Sequence, residues 1–190
     1  KLLLEYGAQA NQTQNEGATP LYIAYEEKHF NIVKLLMTFG ADPTICTNSG
    51  LSPMYSVFLT GNLKMAYIFL EHKVNPNGSF QNGSTPLTIA CEKGYRELVE
   101  LLIGYAVDVN QTTEDGFTPL YIACENYQTD IVNLLLENKA DPDQRTTEGF
   151  SVLYLAAQQG NWDVAEILLN FEADTNRKTK RGSTPLHIAC

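Results

Sequence analysis

The sequence predicts an all-α fold: a curved solenoid of stacked helix-turn-helix units joined by β-hairpin loops. Three observations support it. Glycines recur every 33 residues, at Gly17, Gly50, Gly83, Gly116, Gly149 and Gly182. Two residues after each glycine stands Thr or Ser, followed by Pro in five of the six copies. A strongly apolar segment, such as residues 131–136, follows in the same copy, and such repetition without insertions is typical of solenoids.

The repeat register divides the chain into parts of one domain, residues 1–190. We expect a partial unit, about five full units and the start of another, at residues 1–14, 15–47, 48–80, 81–113, 114–146, 147–179 and 180–190. The opening Lys1-Leu2-Leu3 aligns with residues 34–36, so we interpret it as a second helix rather than a targeting signal. We therefore interpret the chain as a fragment, with more repeats in cis.

Each unit is expected to contain two helices. The hydroxyl before Pro caps the first helix, and Pro suits its first position. In the unit at 114–146 we expect this helix from Pro119 to Asn126, with Leu120, Ala123 and Cys124 facing the stack. Left-handed turns are expected after the helices. Several of these turn positions carry residues other than Gly: Lys28, Lys73, Ala106, Tyr127, Lys139 and Glu172.

Two units depart from the pattern. The unit at 48–80 has bulky Val57 and Phe58 where the others have Ala followed by a mostly small residue, so we expect a local bend or a weak point. The unit at 147–179 has Val152 in place of Pro. Its second helix opens with Trp162, which we expect to pack against a neighbouring repeat.

Particular motifs carry a family resemblance. Residues 184–189 run Thr-Pro-Leu-His-Ile-Ala, and residues 40–43 run Gly-Ala-Asp-Pro after a Leu-Leu pair. The sequence resembles the ankyrin-repeat family, whose first helix begins Thr-Pro-Leu-His-x-Ala. The resemblance extends over essentially the whole chain. It implies the ankyrin-repeat solenoid and leaves the specific function open, because this fold supports many unrelated binding roles.

Charge and motifs exclude several functions. The net charge is −9, and residues 97–174 carry 15 acids but only Lys139 and Arg145 as bases. This disfavours nucleic acid and anionic membranes as partners. We interpret the later basic cluster, Arg177, Lys178, Lys180 and Arg181, as a solvated loop. No apolar run suits membrane insertion. No catalytic, cofactor or metal motif is present, so we predict a protein that is not an enzyme and has no cofactor.

The four cysteines favour a cytoplasmic location. Cys91, Cys124 and Cys190 hold the same repeat position, where stacked helices lie about 10 Å apart, too far for a disulfide. We expect these three to be small buried packing residues and Cys46 to be an exposed hairpin residue. Free thiols favour a reducing compartment. Four glycosylation sequences leave secretion open as an alternative, at Asn11, Asn77, Asn82 and Asn110.

The resemblance implies a partner-binding face, the concave one, made of hairpin tips and the exposed side of the first helices. Carried over by position, it comprises Leu51, Leu59, Glu114, Asp115, Phe117, Glu125, Arg145, Glu148, Phe150 and Gln158. The third unit adds Gln81 and Asn82. We expect Phe117 and Phe150 to face solvent, either as binding anchors within a charged rim or as rings that pack along the hairpins and stiffen them.

These observations predict a non-enzymatic protein–protein interaction scaffold, whose protein or peptide partner carries basic and apolar residues. The alternative is the ankyrin recognition arm of a larger protein, such as a channel, a toxin, a ubiquitin-ligase substrate receptor or a kinase. The resemblance also makes Asn110 a candidate for hydroxylation, because Asp108-Val109-Asn110 matches the targeted step of the family. The other interpretation is that Asn110 braces the hairpin backbone.

Overall fold

The structure is a computed structural model that describes residues 1–80 and 82–190. In these residues it contains twelve α-helices and no β-strand. The helices are α1 (Leu2–Glu5), α2 (Pro20–Glu26), α3 (Phe30–Thr38), α4 (Pro53–Leu59), α5 (Leu63–Glu71), α6 (Pro86–Lys93), α7 (Arg96–Gly104), α8 (Pro119–Glu125), α9 (Thr129–Glu137), α10 (Val152–Gln159), α11 (Trp162–Asn170) and α12 (Pro185–Ala189). The predicted all-α class is confirmed. None of these described helices has the length and apolarity needed to span a bilayer.

Residues 1–75 form one compact unit that contains α1 to α5. Helix α2 packs against α3 and α4 against α5, while α2 also contacts α4 and α3 contacts α5. First helices therefore form one layer and second helices another. Leu21, Val33 and Met65 are completely buried between them. The bulky pair Val57 and Phe58 is also buried, at 0% and 1% exposed, and the local bend or weak point expected there stays a prediction.

Residues 76–190 form a second compact unit that contains α6 to α12. Its first helices pack in chain order, α6 on α8, α8 on α10 and α10 on α12. Its second helices do the same, α7 on α9 and α9 on α11. Leu120, Ala123 and Cys124 of α8 are all 0% exposed, which confirms that they face the stack. Each helix pair thus depends on its sequence neighbours for burial.

Hydroxyl caps start the first helices. The side chain of Thr118 accepts a hydrogen bond from the Tyr121 amide at 3.0 Å, and Pro119 follows the cap. Ser151 makes the same bond to the Tyr154 amide at 3.3 Å although Val152 stands in place of Pro. The hydroxyl is therefore sufficient to start α10.

Left-handed residues end many of the helices, as the repeat pattern predicts. Gly94 and Gly160 have φ values of 70° and 65°. The residues other than Gly at equivalent turns share this conformation: Lys28, Lys73, Ala106, Tyr127, Lys139 and Glu172. A Cβ atom is strained there, so these turns are held by the packing on either side rather than by local preference.

Two packing expectations are wrong. Trp162 is 74% exposed and lines an open apolar groove of about 310 Å³ with Leu169 and Leu186. The physical reason is that α11 packs mainly on α9 and α10, while its Trp162 side borders this open groove, whose far wall is formed by α12 residues such as Leu186. Cys190, which follows α12, is exposed rather than buried, whereas Cys91 and Cys124 are fully buried as expected. Cys46 is intermediate in exposure, and none of the four cysteines forms a disulfide.

Ala106→Gly should stabilise the protein by up to about 1 kcal/mol, because it removes a Cβ atom at a φ of 56°. The matched control is Ala165→Gly within α11, which should destabilise by a similar amount, since glycine is unfavourable inside a helix. Urea unfolding of both variants measures the difference. Equal destabilisation by both substitutions would contradict the strain at Ala106.

Thiol reactivity should separate the four cysteines into two classes. Burial, with a smaller contribution from the Glu125 carboxylate, raises the pKa of the Cys124 thiol to about 12, and burial also raises the pKa of the Cys91 thiol. Only the thiolate reacts with a disulfide reagent such as DTNB. We expect Cys190 and Cys46 to react in the native protein and the other two only in denaturant. Rapid native labelling of all four would contradict this packing.

Candidate interaction surface

The hairpin tips are closed by a repeated pair of backbone hydrogen bonds. At residues 113–117 the Thr113 amide donates to the Phe117 carbonyl at 3.0 Å and the Gly116 amide donates to the Thr113 carbonyl at 2.9 Å. The same pair closes residues 14–18, 47–51, 146–150 and 179–183. Gly116 has a φ of 80°, and a Cβ atom there would lie 2.9 Å from the Thr147 amide nitrogen. Glycine therefore allows neighbouring tips to approach closely.

Neighbouring tips are held in register by further hydrogen bonds. The amide and the hydroxyl of Thr147 both donate to the Asp115 carbonyl, at 3.3 and 3.0 Å. The Lys180 amide donates to the Glu148 carbonyl at 3.3 Å. These bonds define the relative positions of the three tips at 113–117, 146–150 and 179–183. They therefore also define where the side chains of the tips lie relative to one another.

The two tip phenylalanines are half-buried, not solvent-facing as expected. The Phe117 ring lies on Tyr121 with centroids 5.2 Å apart, and the Phe150 ring lies on Tyr154 at the same distance. Each ring reaches the tyrosine four residues on because the tip leads directly into the first turn of the helix. One side of each ring is therefore packed within its own repeat, while the half-burial leaves part of the ring accessible.

The predicted polar residues of the same two repeats are exposed. Glu114, Asp115, Glu125, Glu148 and Gln158 are all exposed. Arg145 is exposed as well.

The remaining predicted residues lie elsewhere. Leu51 and Leu59 are half-buried and belong to the unit of residues 1–75, whereas the other eight predicted site residues belong to residues 76–190. Gln81 lies outside the described residues. We name the eight residues of the second unit the tip surface: Glu114, Asp115, Phe117, Glu125, Arg145, Glu148, Phe150 and Gln158.

Tyr121 lies beneath the tip surface as a buried phenol. Burial, with nearby Glu125 as the next cause, raises the pKa of Tyr121 to about 12. Throughout residues 1–80 and 82–190, no group of three His, Cys, Asp or Glu residues could hold a metal ion.

The late basic cluster lies on the surface, where Lys178, Lys180 and Arg181 are exposed. Arg177, Lys178 and Lys180 converge with Arg145 around a surface groove of about 480 Å³, between the tips at 146–150 and 179–183. We name these four cations and their cleft the basic groove. Sequence reasoning missed it, although a signal was available: Arg145 and Lys178 are 33 residues apart and so occupy equivalent tip positions.

Asn110 braces the neighbouring repeat. Its Oδ1 accepts from the Asp141 amide at 2.8 Å and its Nδ2 donates to the Lys139 carbonyl at 3.2 Å. Asn11 makes the same two bonds, to Asp42 and Gly40, at 2.7 and 3.2 Å. This geometry favours the bracing interpretation, and hydroxylation of Asn110 stays a prediction.

Comparisons with known proteins agree with this architecture. Two family models match, ankyrin repeats (3 copies) over residues 54–146 and ankyrin repeats (many copies) over residues 3–54 and 135–189. The crystal structure of the ankyrin repeat domain of Bcl-3, a member of the IkappaB protein family, is 25% identical with a TM-score of 0.90. That of human ASB11 is 26% identical with a TM-score of 0.78. Each match covers 100% of this chain and 85% of the other. No curated protein matches the chain.

Asn110→Ala should lower the free energy of unfolding by about 1–2 kcal/mol, because two hydrogen bonds to the next repeat are lost. The control is Asn176→Ala at the equivalent position. Among the described residues, the Asn176 side-chain amide makes one hydrogen bond, a long one of 3.4 Å to the Thr175 hydroxyl, so its removal should cost about 0.5 kcal/mol or less. Chemical denaturation of both variants distinguishes them. A similar decrease in the free energy of unfolding for both variants would show that the two hydrogen bonds of Asn110 contribute little to stability.

Proposed function

Because this chain belongs to the ankyrin-repeat family, whose fold is generally a protein–protein interaction module, we propose that its tip surface binds a protein or peptide partner. The proposed activity is binding alone, without catalysis. In ankyrin arrays the side made of hairpin tips and first helices is the concave one, and we assign the binding to that side.

The aromatic pairs are the observation that carries this proposal. Phe117 and Phe150 occupy equivalent positions in successive repeats, and each is supported from beneath by a buried tyrosine. The Thr147 bonds to Asp115 hold the two tips together. Rings that are already ordered lose little conformational entropy when a partner binds, and partly exposed aromatic side chains are common binding anchors.

The charges around the rings indicate the chemistry of the partner. Glu114, Asp115, Glu125 and Glu148 are exposed carboxylates in the same two repeats. Carboxylates around apolar anchors favour a segment that combines basic with apolar residues, since charge complementarity increases both association rate and specificity. The net charge of −9 opposes nucleic acid as the main ligand.

We further propose a cytoplasmic location. All four cysteines are thiols, and the side chains of Asn11 and Asn110, in two of the glycosylation sequences, are engaged with the next repeat. A glycan on either side-chain nitrogen would break a bond to a neighbouring carbonyl. Both observations support a reducing compartment over a secreted state.

Selection of peptides from a phage-displayed library tests the binding proposal. The chain should enrich peptides that contain both basic and apolar residues. In isothermal titration, the double variant Phe117→Ala with Phe150→Ala should bind these peptides about tenfold or more weakly. Truncation of an aromatic anchor typically costs over 1 kcal/mol of binding free energy.

The matched control is Phe39→Ala with Phe171→Ala. These phenylalanines are 37% exposed and stand at the ends of second helices, outside the tip surface. This pair should leave the affinity unchanged. If both double variants bind the selected peptides as tightly as the parent chain, the tip surface is not the binding site.

A further inference from the structure

The basic groove concentrates positive charge in a chain that is otherwise acidic. Its lining contains four cationic side chains, Arg145, Arg177, Lys178 and Lys180, against a single carboxylate, Asp143. The groove lies between two tips that the Lys180–Glu148 backbone bond holds together. Its shape is therefore set by the same register as the tip surface.

The four cations of the basic groove differ in how strongly they are paired with carboxylates of the chain itself. Arg177 lies between two carboxylates, with Nε 3.4 Å from Asp174 and Nη2 3.8 Å from Asp143, so it acts mainly as a brace. Lys180 lies 3.7 Å from Glu148, and both side chains are about two-thirds exposed, at 65% and 69%. An exposed pair at this distance is weak.

Arg145 and Lys178 have the most donors to spare. Arg145 makes one long hydrogen bond, 3.4 Å from Nη1 to the Lys178 carbonyl, although a guanidinium carries five N–H donors. The Lys178 ammonium takes part in no ion pair with any described residue. Both side chains are exposed and line the same groove. The groove therefore offers charged donors that the folded chain does not satisfy.

We infer that the basic groove is a subsite for carboxylate side chains of a protein segment. This rests on the proposed function, because the segment is the one whose basic and apolar residues lie on the tip surface. The chain then recognises a partner with two charged ends: a basic end over Glu114 and Asp115, an apolar middle on the two phenylalanines, and an acidic end in the groove.

Peptide carboxylates fit the groove better than nucleic acid does. A nucleic-acid strand carries a continuous line of phosphates, and Glu148, Asp143 and Asp174 beside the cations would repel it. A peptide with one or two carboxylates can instead pair with Arg145, Lys178 and Lys180. Such a peptide does not place further negative charge next to Glu148, Asp143 and Asp174. Arg145 can bind a carboxylate through two parallel N–H bonds.

The repeat spacing gives the separation of the charged ends in the partner. Neighbouring helices lie on the order of 10 Å apart, and the groove lies between the tips at 146–150 and 179–183, so it is about 15 Å from the tip at 113–117. An extended chain advances about 3.3 Å per residue. The basic and acidic residues of the partner should therefore be about four to five residues apart.

Fluorescence anisotropy with labelled hexaglutamate tests the subsite directly on the full chain. We expect saturable, salt-sensitive binding that Arg145→Ala with Lys178→Ala weakens about fivefold, since two exposed charge pairs together contribute about 1 kcal/mol. Arg145→Lys with Lys178→Arg keeps both charges and should retain most of the affinity. The matched control, Lys34→Ala with Lys64→Ala, removes two exposed cations from helices of the first unit and should have no effect.

Three results would overturn the inference: no saturable binding, equal weakening by the two alanine pairs, or tighter binding of an oligothymidylate of the same charge than of hexaglutamate. Phe117→Ala with Phe150→Ala should leave hexaglutamate binding unchanged. The two proposals can therefore fail separately: the selected peptides test the aromatic anchors, and hexaglutamate tests the basic groove.

Discussion

Contact between successive repeats is the interaction on which the rest of the structure depends. No helix pair buries its apolar face alone, and the small residues Ala123 and Cys124 of α8 let the first helices pack closely. Side-chain hydrogen bonds between repeats fix the register of this packing. Asn110 and Thr147 each bond to backbone groups of an adjacent repeat, so the apolar contact and the hydrogen bonds fix one register. This arrangement explains why left-handed Lys139 and Ala106 are tolerated at strained turns.

The proposed tip surface and basic groove both follow from that register. Because the tips at 113–117, 146–150 and 179–183 bond to one another, residues 33 positions apart become neighbours on the surface. Phe117 and Phe150 stand on neighbouring tips in this way, and Arg145 and Lys178 line one basic groove. Hydrogen bonds between the tips thus convert a repeat in sequence into a regular pattern of side chains on the surface.

Local chemistry explains which expectations hold. Thr118 and Ser151 predict helix starts because a hydroxyl cap acts within three residues, and Lys28 and Tyr127 predict left-handed turns because their position is strictly periodic. Expectations about Trp162 and Cys190 fail, because burial depends on whether another helix covers the position. The expected exposure of Phe117 fails for a related reason: its ring folds back onto Tyr121, a contact that periodicity does not specify.

The sequence by itself determined the repeat, the helix order, the capping residues and the family, since each depends on residues close together in the chain or on a constant spacing. Only the tertiary structure decided which side chains share a surface and how they are held. The bracing role of Asn110 and the convergence of Arg145 with Lys178 both depend on distances between separate repeats. Such distances are set by packing across the stack, and no local pattern contains them.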